Sequence, residues 1–586
     1  MRRGGALALF LLFVLAAPAM LPAFYVTLFN YIGLATLVAL GLVLLTGVAG
    51  IVSFGQQAFV GMAAYTTAAL TTLAGASPWI TLFASLAVTA TAALMLGAIM
   101  LRLSGHYLAI STIAWGIAIY YLFGNLPMLG QYSGIDNVPA ISLLGWTLDT
   151  GRKSYYLIWI VTVAALLAAR NLLDSRCGRA IRALRFRSVM AESFGVDTAS
   201  LKVVVFLYAA LLAGLSGWLY AHFLRFVSPH AFGVNAGIDY LFMAVIGGAS
   251  QVWGALLGAS VLTVLKEWLK DILPAAFQQT GNYEIVVFGI LMMFLLHRTR
   301  DGLVPAFARL FPPGPARARP ADAEPLARRT KPPPGQPLLE LSGVEKRFGG
   351  LIAVRDLSFA MQSGEILGLI GPNGAGKSTV FNLVTSVLPA DAGQIRFEGE
   401  RIERATQRDI ARLGVCRTFQ HVNLVSSMSV LENVALGAHL RGRRGTVAAM
   451  LHIERDEEER LLAEAARQLD RVGLGAHLFD PAGSLPLGQQ RIVEIARALC
   501  ADPVLLLMDE PAAGLRYAEK RALAELLVKL RGEGISILLV EHDMDFVMGL
   551  VDRVVVMDFG EKLAEGLPAD IHADPAVLEA YLGGIE

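Results

Sequence analysis

The chain has 586 residues and a formal net charge of +1, from 49 lysines and arginines against 48 aspartates and glutamates. This balance gives no argument for a nucleic-acid or an acidic partner, and we expect no nucleic acid to bind. The length indicates several domains. Hydrophobic residues make up 55% of the chain and charged residues 17%, which is too apolar for a soluble enzyme. Apolar runs long enough to cross a bilayer recur up to about residue 297, and an ordinary charged pattern follows residue 312.

The amino-terminal half contains candidate membrane spans near residues 5–24, 30–50, 54–74, 78–100, 105–124, 154–170, 202–224, 238–252, 254–272 and 283–297. The first has the arginines and apolar core of a secretory signal, but more spans follow at once, so we expect an uncleaved helix. The eighth is short and rich in glycine, which is compatible with it and its neighbour being half-helices. We therefore expect eight to ten spans.

Charge predicts the orientation of these spans. The loop between residues 170 and 202 is basic, with three acids against Arg170, Arg176, Arg179, Arg182, Arg185, Arg187 and Lys202. By the positive-inside rule this loop is cytoplasmic, and the loop 125–153 faces outward. The three cysteines have no spacing typical of disulfides or zinc sites, so we expect free thiols at Cys177, Cys416 and Cys500.

Composition divides the chain into a transmembrane domain at 1–300, a linker at 301–336 and a second domain at 337–586. The linker is rich in proline, alanine and arginine, and we expect it to be semi-extended because it offers little apolar surface to bury. In the second domain, "EILGLIG", "PVLLLMDEP" and "GISILLVEHD" are typical of buried strands separated by helices. This alternation predicts a mostly parallel α/β sheet.

A complete phosphate-binding motif follows the first of these strands. The residues of "GPNGAGKST" fit G-x-x-x-x-G-K-[ST] and are Gly371, Pro372, Asn373, Gly374, Ala375, Gly376, Lys377, Ser378 and Thr379. The glycines let backbone N–H groups surround phosphates, and the next helix presents its positive end. We expect Lys377 to reach the β- and γ-phosphates of ATP and Ser378 to hold Mg2+.

Two acids follow a later strand in "VLLLMDE". We expect Asp509 to hold Mg2+ through water, and Glu510 to act as the general base that polarises the attacking water. Because phosphoryl transfer needs little covalent chemistry from the protein, positioned charges of this kind perform most of the catalysis.

The order of these motifs resembles a complete ABC-transporter ATPase, with Gln420 in "TFQ", the signature-like "LPLGQ" and His542 in "LVEHD". The resemblance implies that Gln420 senses the γ-phosphate, contributes to the Mg2+ site and touches the transmembrane part. It implies that His542 clamps the γ-phosphate and water, and that Phe348 in "KRFGG" stacks on adenine. The signature residues Leu485, Gly488 and Gln489 would bind ATP held by another subunit.

The match extends to a subfamily. "EKRFGGLIAVRDLSF", "DEPAAGL" and "DPAVLEAYLG" resemble the LivG-type ATPase of bacterial branched-chain amino-acid importers. "LSGHYLAISTIAWG" and "RALRFRSVMAESFGVDTASLK" resemble the companion LivM-type permease. The chain thus looks like a fusion: a polytopic α-helical permease joined to an α/β P-loop ATPase, in the bacterial inner membrane with the ATPase in the cytoplasm. The resemblance also implies that residues 176–200 form a coupling segment, with a short helix that ends at Gly195.

Two departures stand out in the ATPase. Pro486 replaces the usual signature serine, and Arg516 stands where an aspartate or asparagine is usual. One phosphate loop and one signature per chain give half-sites, so a second permease and a second ATPase are required. The resemblance favours a LivH-like permease, a LivF-like ATPase and an external solute-binding protein, and a homodimer stays open.

The solute is the least determined feature. An importer of urea or short amides is the rival within the class, and an ABC exporter or an ATPase that signals without transport are rivals outside it. The many short-looped spans argue against both of the latter. Ser53, Gln56 and Gln57 in "SFGQQAF" are compatible with a lining of the pathway or with helix–helix hydrogen bonds.

Overall fold

The computed structural model describes residues 2–100, 105–143, 145–186, 188–277, 283–298, 302–308, 318–320 and 323–582. These residues form two compact units. The first unit contains Met1–Asp174 and Ala199–Ala316, and the second contains Ser175–Thr198 and Arg317–Glu586. Part of the predicted linker lies outside the described residues, at 301, 309–317 and 321–322.

The helices of the amino-terminal half are, in chain order, α1 (Arg2–Met20), α2 (Ala23–Leu42), α3 (Gln56–Thr72), α4 (Pro78–Met100), α5 (His106–Asn125), α6 (Gly151–Leu173), α7 (Arg176–Leu184), α8 (Ser188–Glu192), α9 (Thr198–Leu224), α10 (Val234–Gly248), α11 (Val252–Phe277), α12 (Tyr283–Arg298) and α13 (Leu303–Ala308). Helices α7 and α8 belong to the second unit. A π-helical turn at Val43–Val48 extends α2, and the strands β1 (Ser142–Leu143) and β2 (Trp146–Thr147) form a short hairpin.

Each predicted span falls on a helix of the first unit. Among the described residues, six helices are long and apolar enough to cross a membrane by length and composition. Helix α10 has 15 residues and is short for a span, as its glycine-rich sequence indicated. The suggestion that its neighbour is also a half-helix is wrong, since α11 runs for 26 residues without a break. The total of eight to ten spans stays a prediction.

The core of the first unit is built around α2. This helix is buried from Ile32 to its end and packs against α6, α10 and α11. Helices α10 and α11 approach one another closely because small residues line their contact: a Cβ on Gly258 would lie 1.8 Å from the carbonyl oxygen of Met243. Such backbone contacts are typical of helices that associate in membranes.

The strands of the second unit are β3 (Pro337–Phe348), β4 (Leu351–Gln362), β5 (Ile366–Ile370), β6 (Ala392–Phe397), β7 (Glu400–Arg401), β8 (Val415–Arg417), β9 (Leu505–Asp509), β10 (Ser536–Val540), β11 (Arg553–Asp558) and β12 (Glu561–Gly566). One sheet has the order β12-β11-β5-β10-β9-β8, and only its β11–β12 pair is antiparallel. A second, antiparallel sheet has the order β4-β3-β6-β7. The predicted parallel α/β sheet is therefore present, with the three expected strands as β5, β9 and β10.

The remaining helices are α14 (Lys377–Val384), α15 (Gln407–Leu413), α16 (Val430–Gly437), α17 (Thr446–Met450), α18 (Arg455–Arg471), α19 (Leu487–Cys500), α20 (Tyr517–Gly532), α21 (Met544–Met548), α22 (Pro568–Ala573) and α23 (Pro575–Leu582). One apolar core lies between the two sheets and α14, and another lies among α16, α18 and α19. The three cysteines are buried free thiols, as expected.

The linker differs from its prediction. Its described residues from 323 to 336 form neither helix nor strand, but they pack on the second unit rather than standing free. Leu326 joins the apolar core among α16, α18 and α19, and the backbone N–H of Arg329 donates a hydrogen bond of 2.5 Å to Asp502. The guanidinium of Arg441 holds the carbonyl oxygen of Ala327 at 3.0 Å. The composition did not indicate this packing, because it depends on one leucine side chain and on hydrogen bonds of several backbone groups.

Candidate functional site

The phosphate loop joins β5 to α14, as its sequence predicted. Glycine is required at two of its positions, since Gly371 and Gly376 have positive φ angles of 151° and 97°. A Cβ at these glycines would also lie 2.1 Å and 2.4 Å from backbone oxygens of neighbouring strands. The loop therefore packs closely against the sheet at these two glycines, where a side chain would not fit.

Lys377 lies in the first turn of α14 and reaches back across the loop. Its Nζ donates hydrogen bonds of 2.8 Å to the carbonyl oxygens of Gly371 and Pro372. The side chain is buried, and burial lowers the pKa of this ammonium group, while the nearby Glu510 and Asp509 raise it. The amine is thus positioned by backbone oxygens rather than by a tight ion pair, which leaves it available to an incoming anion.

The rest of the motif surrounds this amine. Asn373, Gly374 and Ser378 are exposed, Ala375 is buried, and Thr379 is half-buried in the first turn of α14. The nine predicted residues therefore occur in one loop and one helix turn. This is the arrangement that the sequence spacing indicated.

Glu510 is the centre of the second cluster. It follows β9 with a positive φ of 50°, so the chain turns sharply and directs the carboxylate away from the sheet. Its Oε1 accepts a hydrogen bond of 3.0 Å from Gln420, and its Oε2 lies 3.1 Å from Nε2 of His542. Two residues predicted from separate motifs, Gln420 and His542, therefore contact the carboxylate of a third, Glu510.

Hydrogen bonds of its backbone N–H and carbonyl groups fix the position of Glu510. The N–H of Glu510 donates to the carbonyl oxygen of Val540 at 2.9 Å, and the guanidinium of Arg491 donates to the Glu510 carbonyl oxygen at 2.7 Å. Arg491 lies on α19, the helix that follows the signature motif. The signature helix is thus tied directly to the turn that carries Glu510.

The partner of Asp509 was not predicted from the sequence. This aspartate is 2% exposed, and its Oδ2 accepts a hydrogen bond of 3.0 Å from the guanidinium of Arg417. Arg417 also donates to Asn382 at 2.5 Å, and its guanidinium carbon lies 5.6 Å from the ring centre of Phe381 and 5.4 Å from that of Phe419. Burial raises the pKa of Asp509, and Arg417 opposes that shift. The available signal was a charged residue in β8, a strand that is otherwise apolar.

The oxygen groups predicted to hold Mg2+ are of the kind that fits a hard cation. Asp509 Oδ1 is buried without a hydrogen-bond partner among the described residues, and Ser378 lies in the first turn of α14. Gln420 uses its amide nitrogen on Glu510, so its oxygen is not consumed by that contact. Carboxylate, hydroxyl and amide oxygens are the ligands that Mg2+ accepts in phosphate sites.

Two further residues that contact this site were not predicted from the sequence. Glu541, 1% exposed, accepts hydrogen bonds from the backbone N–H groups of Ala512 at 2.6 Å and His542 at 3.2 Å. It therefore clamps the segment after Glu510 to the segment that carries His542. Tyr581 on α23 lies beside the backbone of Gly371, and burial raises the pKa of its hydroxyl to about 12.

The predicted adenine contact and the signature lie at the surface. Phe348 ends β3 with 46% of its surface exposed, and the ammonium of Lys346 lies 5.7 Å from its ring centre. Gly488 and Gln489 lie half-buried in the first turn of α19, and Leu485 just before it is buried. Among the described residues, no hydrogen bond joins Leu485, Gly488 or Gln489 to the phosphate loop of this chain.

Pro486 occupies the residue before the first turn of α19, with φ −56° and ψ 150°. Its carbonyl oxygen accepts a hydrogen bond of 3.0 Å from the N–H of Gln490, so the proline begins the helix without strain. Arg516 is likewise the residue before the first turn of its helix, α20, and its N–H donates to Glu519 at 2.8 Å. Both departures from the usual pattern are therefore compatible with intact helix starts.

The segment Ser175–Thr198 belongs to the second unit and packs on its helices, chiefly α16. Three arginines at spacings of three residues along α7 make its polar contacts. Arg179 is almost fully buried and forms a bidentate pair with Glu458, in which one hydrogen bond measures 3.1 Å. Arg182 donates to Glu432 at 3.2 Å, and Arg176 donates to the carbonyl oxygen of His439 at 2.5 Å. These partners lie on α16, α18 and the turn after α16.

Beyond α8 the same segment makes apolar and charged contacts. The guanidinium of the buried Arg497 lies 5.0 Å from the ring centre of Phe194. Gly195 has a positive φ of 79°, and a Cβ there would lie 2.3 Å from the Leu440 side chain. The short helix predicted to end at Gly195 ends earlier, at Glu192, and Gly195 lies in the turn that follows, where both observations require glycine.

Comparison with known proteins gives matches to both halves of the chain. The family described as "Branched-chain amino acid transport system / permease component" matches residues 24–296. The family "ABC transporter" matches 354–513, and "Branched-chain amino acid ATP-binding cassette transporter" matches 561–586.

Similar curated proteins cover the ATP-binding half. The high-affinity branched-chain amino acid transport ATP-binding protein LivG of Salmonella typhimurium is 43% identical over 42% of this chain and 98% of its own length. A probable LivG of Archaeoglobus fulgidus is 38% identical over 42% of this chain and 95% of its own. A crystal structure of the ADP conformation of an ATP-binding cassette of an ABC transporter is 32% identical, with a TM-score of 0.38, over 42% of this chain and 99% of that one. The chain belongs to the ABC transporters of branched-chain amino acids, as a permease component fused to an ATP-binding, ATP-hydrolysing component.

Proposed function

We propose that this protein is a subunit of an importer that uses ATP to bring branched-chain or related amino acids across the bacterial inner membrane. The observation that carries the proposal is the presence in one chain of a permease-family half and an ATP half-site assembled around Glu510. The name of the LivG relatives, high-affinity branched-chain amino acid transport, supports this class of solute.

In this proposal the phosphate loop and Lys377 bind the β- and γ-phosphates of ATP. Glu510 accepts a proton from the attacking water, and its hydrogen bond to Gln420 and its contact with His542 hold the carboxylate in place. His542 and Gln420 then lie beside the γ-phosphate. Phe348, with its exposed ring, stacks on adenine.

Ser378, Asp509 and Gln420 are the residues that would hold Mg2+ with the nucleotide. When bound, this ion supplies positive charge that neutralises the phosphates during transfer. The buried Asp509 Oδ1, with no partner among the described residues, supports its role as an oxygen ligand, directly or through water.

Leu485, Gly488 and Gln489 bind ATP on a second ATPase subunit rather than on this chain. Their lack of hydrogen bonds to the phosphate loop within the described residues supports this arrangement. We propose a LivF-like ATPase and a LivH-like permease as the partners, with an external solute-binding protein that delivers the amino acid. A homodimer is the alternative assembly.

We further propose that residues 1–300 form the permease, 301–336 the linker and 337–586 the ATP-binding domain, which lies in the cytoplasm. Residues 176–200 transmit movement from the ATPase to the permease. The buried Arg179–Glu458 pair and the packing of Gly195 support this coupling role. The basic charge of the same segment supports its cytoplasmic side.

Uptake by cells tests the proposal. A strain that lacks this subunit is complemented with the wild-type gene or with Lys377→Ala, and uptake of radiolabelled leucine and urea is measured. We expect leucine uptake with the wild-type gene and none with Lys377→Ala. Restored urea uptake without leucine uptake would identify the rival importer, and export of leucine from loaded cells would contradict import.

A further inference from the structure

The first unit contains a break between two of its helices. Residues 49–55 separate the π-helical turn at Val43–Val48 from α3 and form no helix. Ser53, Gln56 and Gln57 lie at this break, and each is 1% exposed. Three polar side chains within five residues are therefore buried where α3 begins.

The break lies beside the middle of a neighbouring helix that is long and apolar enough to span a membrane. A Cβ on Gly116 would be 2.4 Å from Nε2 of Gln57, and Gly116 is near the middle of α5, a helix of 20 residues. A Cβ on Gly237 would be 2.4 Å from Oε1 of Gln57 and 2.7 Å from the carbonyl oxygen of Phe54. The Gln57 carboxamide therefore reaches from the start of α3 into a space that exists because two neighbouring helices carry glycine.

The amides at this break have unused hydrogen-bonding capacity. Among the described residues, neither Nε2 nor Oε1 of Gln56 has a partner, and Oε1 of Gln57 has none. Burying an amide without hydrogen bonds costs free energy. Polar groups within membrane spans usually face the pathway of a transported solute. A role in joining helices would require the hydrogen bonds that these atoms lack.

Hydrogen bonds fix the backbone at the same place. The backbone before α3 is held in shape, since the N–H of Phe54 donates to the Thr112 hydroxyl at 3.1 Å and that of Gly55 to Ser53 at 3.4 Å. Helix α3 runs for 17 residues and has no acidic side chain in its first turn. Its positive end therefore meets free amide groups without a protein carboxylate to neutralise it.

We propose that Gln56 and Gln57, with the first turn of α3, form the station in the permease that receives the zwitterionic head of an α-amino acid. The amide nitrogen of Gln56 and the helix end receive the solute carboxylate, and the two amide oxygens receive its ammonium group. This inference rests on the proposed function, because it names the site at which the imported amino acid passes.

The test uses the complete complex with its binding protein in vesicles. Gln56→Met and Gln57→Met remove the amide at nearly constant volume, and Gln57→Asn keeps an amide but shortens its reach. Thr67→Val is the matched control, since Thr67 is on the same helix, fully buried, and its hydroxyl also lacks a partner among the described residues. Leucine uptake is measured alone and against 4-methylpentanoate, which lacks the ammonium group, or 3-methylbutylamine, which lacks the carboxylate.

We expect each methionine variant to raise the KM for leucine about tenfold, which corresponds to one lost hydrogen bond to a charged group. The same variants should lose discrimination against the two analogues, and Thr67→Val should do neither. Wild-type KM and discrimination in Gln56→Met and Gln57→Met would overturn the station. A wild-type complex that takes up no leucine would instead contradict the proposed function.

Thiol labelling covers variants that assemble poorly. The native cysteines are buried, so Gln57→Cys introduces a thiol whose reaction with a small methanethiosulfonate can be followed in the complex. We expect labelling during ATP turnover and protection by leucine. A thiol that stays unreactive throughout turnover would overturn the proposal, because a station on the pathway must open to water.

Discussion

Arg417 and Asp509 form a buried ion pair of 3.0 Å between adjacent strands, at the point where the sheet meets the phosphate loop. The same short segment of chain continues to Gln420, which holds Glu510. One strand end therefore positions both acids of the proposed ATP site, the first through a guanidinium and the second through an amide.

Replacing Arg417 with methionine should damage both stability and metal binding. Removing one partner of a buried pair leaves an uncompensated charge, which costs about 3–5 kcal/mol. We expect a lower melting temperature of the intact complex and weaker binding of Mn2+ with ATP, measured by electron paramagnetic resonance in a Glu510→Gln background. Arg417→Lys should recover part of both. Unchanged Mn2+ affinity in Arg417→Met would show that the pair has a purely structural role.

Glu510→Gln should separate ATP binding from hydrolysis. The glutamine can still accept the hydrogen bond from Gln420 but cannot take a proton, so we expect phosphate release to fall about a hundredfold or more. Binding of labelled ATP should remain. Glu525→Gln, which changes an exposed acid in the same domain, serves as the control, and wild-type hydrolysis in Glu510→Gln would sink the assignment of the base.

Restoring serine at Pro486 should raise the ATPase rate of the complex or leave it unchanged. The added hydroxyl offers the partner's γ-phosphate a hydrogen bond worth about 1.5–3 kcal/mol, and serine is a favoured residue at a helix start. Pro486→Ala separates loss of the ring from gain of the hydroxyl. A clear fall in phosphate release with serine would mean that the proline is adapted to this transporter.

Arg179→Met should uncouple hydrolysis from transport. Glu458 would lose its buried partner, so docking of the segment Ser175–Thr198 should weaken while the ATP site remains intact. We expect fewer leucine molecules carried per phosphate released. The charge-swapped pair Arg179→Glu with Glu458→Arg should recover part of this ratio. Arg521→Met, which breaks an exposed pair with Glu525, is the control and should change nothing measurable.

The central site could be predicted from the sequence because its residues follow parallel strands. Gly371 follows β5, His542 follows β10, Glu510 follows β9 and Gln420 follows β8, and these strands are neighbours in the sheet. The carboxyl ends of parallel strands meet at one edge, so residues from four separate motifs converge there. Local pattern and topology therefore determined the meeting of these side chains.

Pairs between distant residues could not be predicted in this way. Arg179 and Glu458 are 279 residues apart, and nothing in either neighbourhood identifies the other. Arg417 was visible as a charge in an apolar strand, but its partner depended on the register with β9. The packing of the linker could not be predicted for another reason. Its composition is mostly proline, alanine and arginine, and one side chain, Leu326, anchors it in an apolar core.

The most direct test measures leucine accumulation and phosphate release together, in vesicles that contain this chain with its neighbouring permease and ATPase and with ATP on the cytoplasmic side. We predict that the wild-type complex concentrates leucine as it releases phosphate, that the binding protein stimulates both, and that Glu510→Gln stops both. Steady phosphate release without any leucine accumulation, or accumulation that persists in Glu510→Gln, would contradict ATP-driven import by this protein.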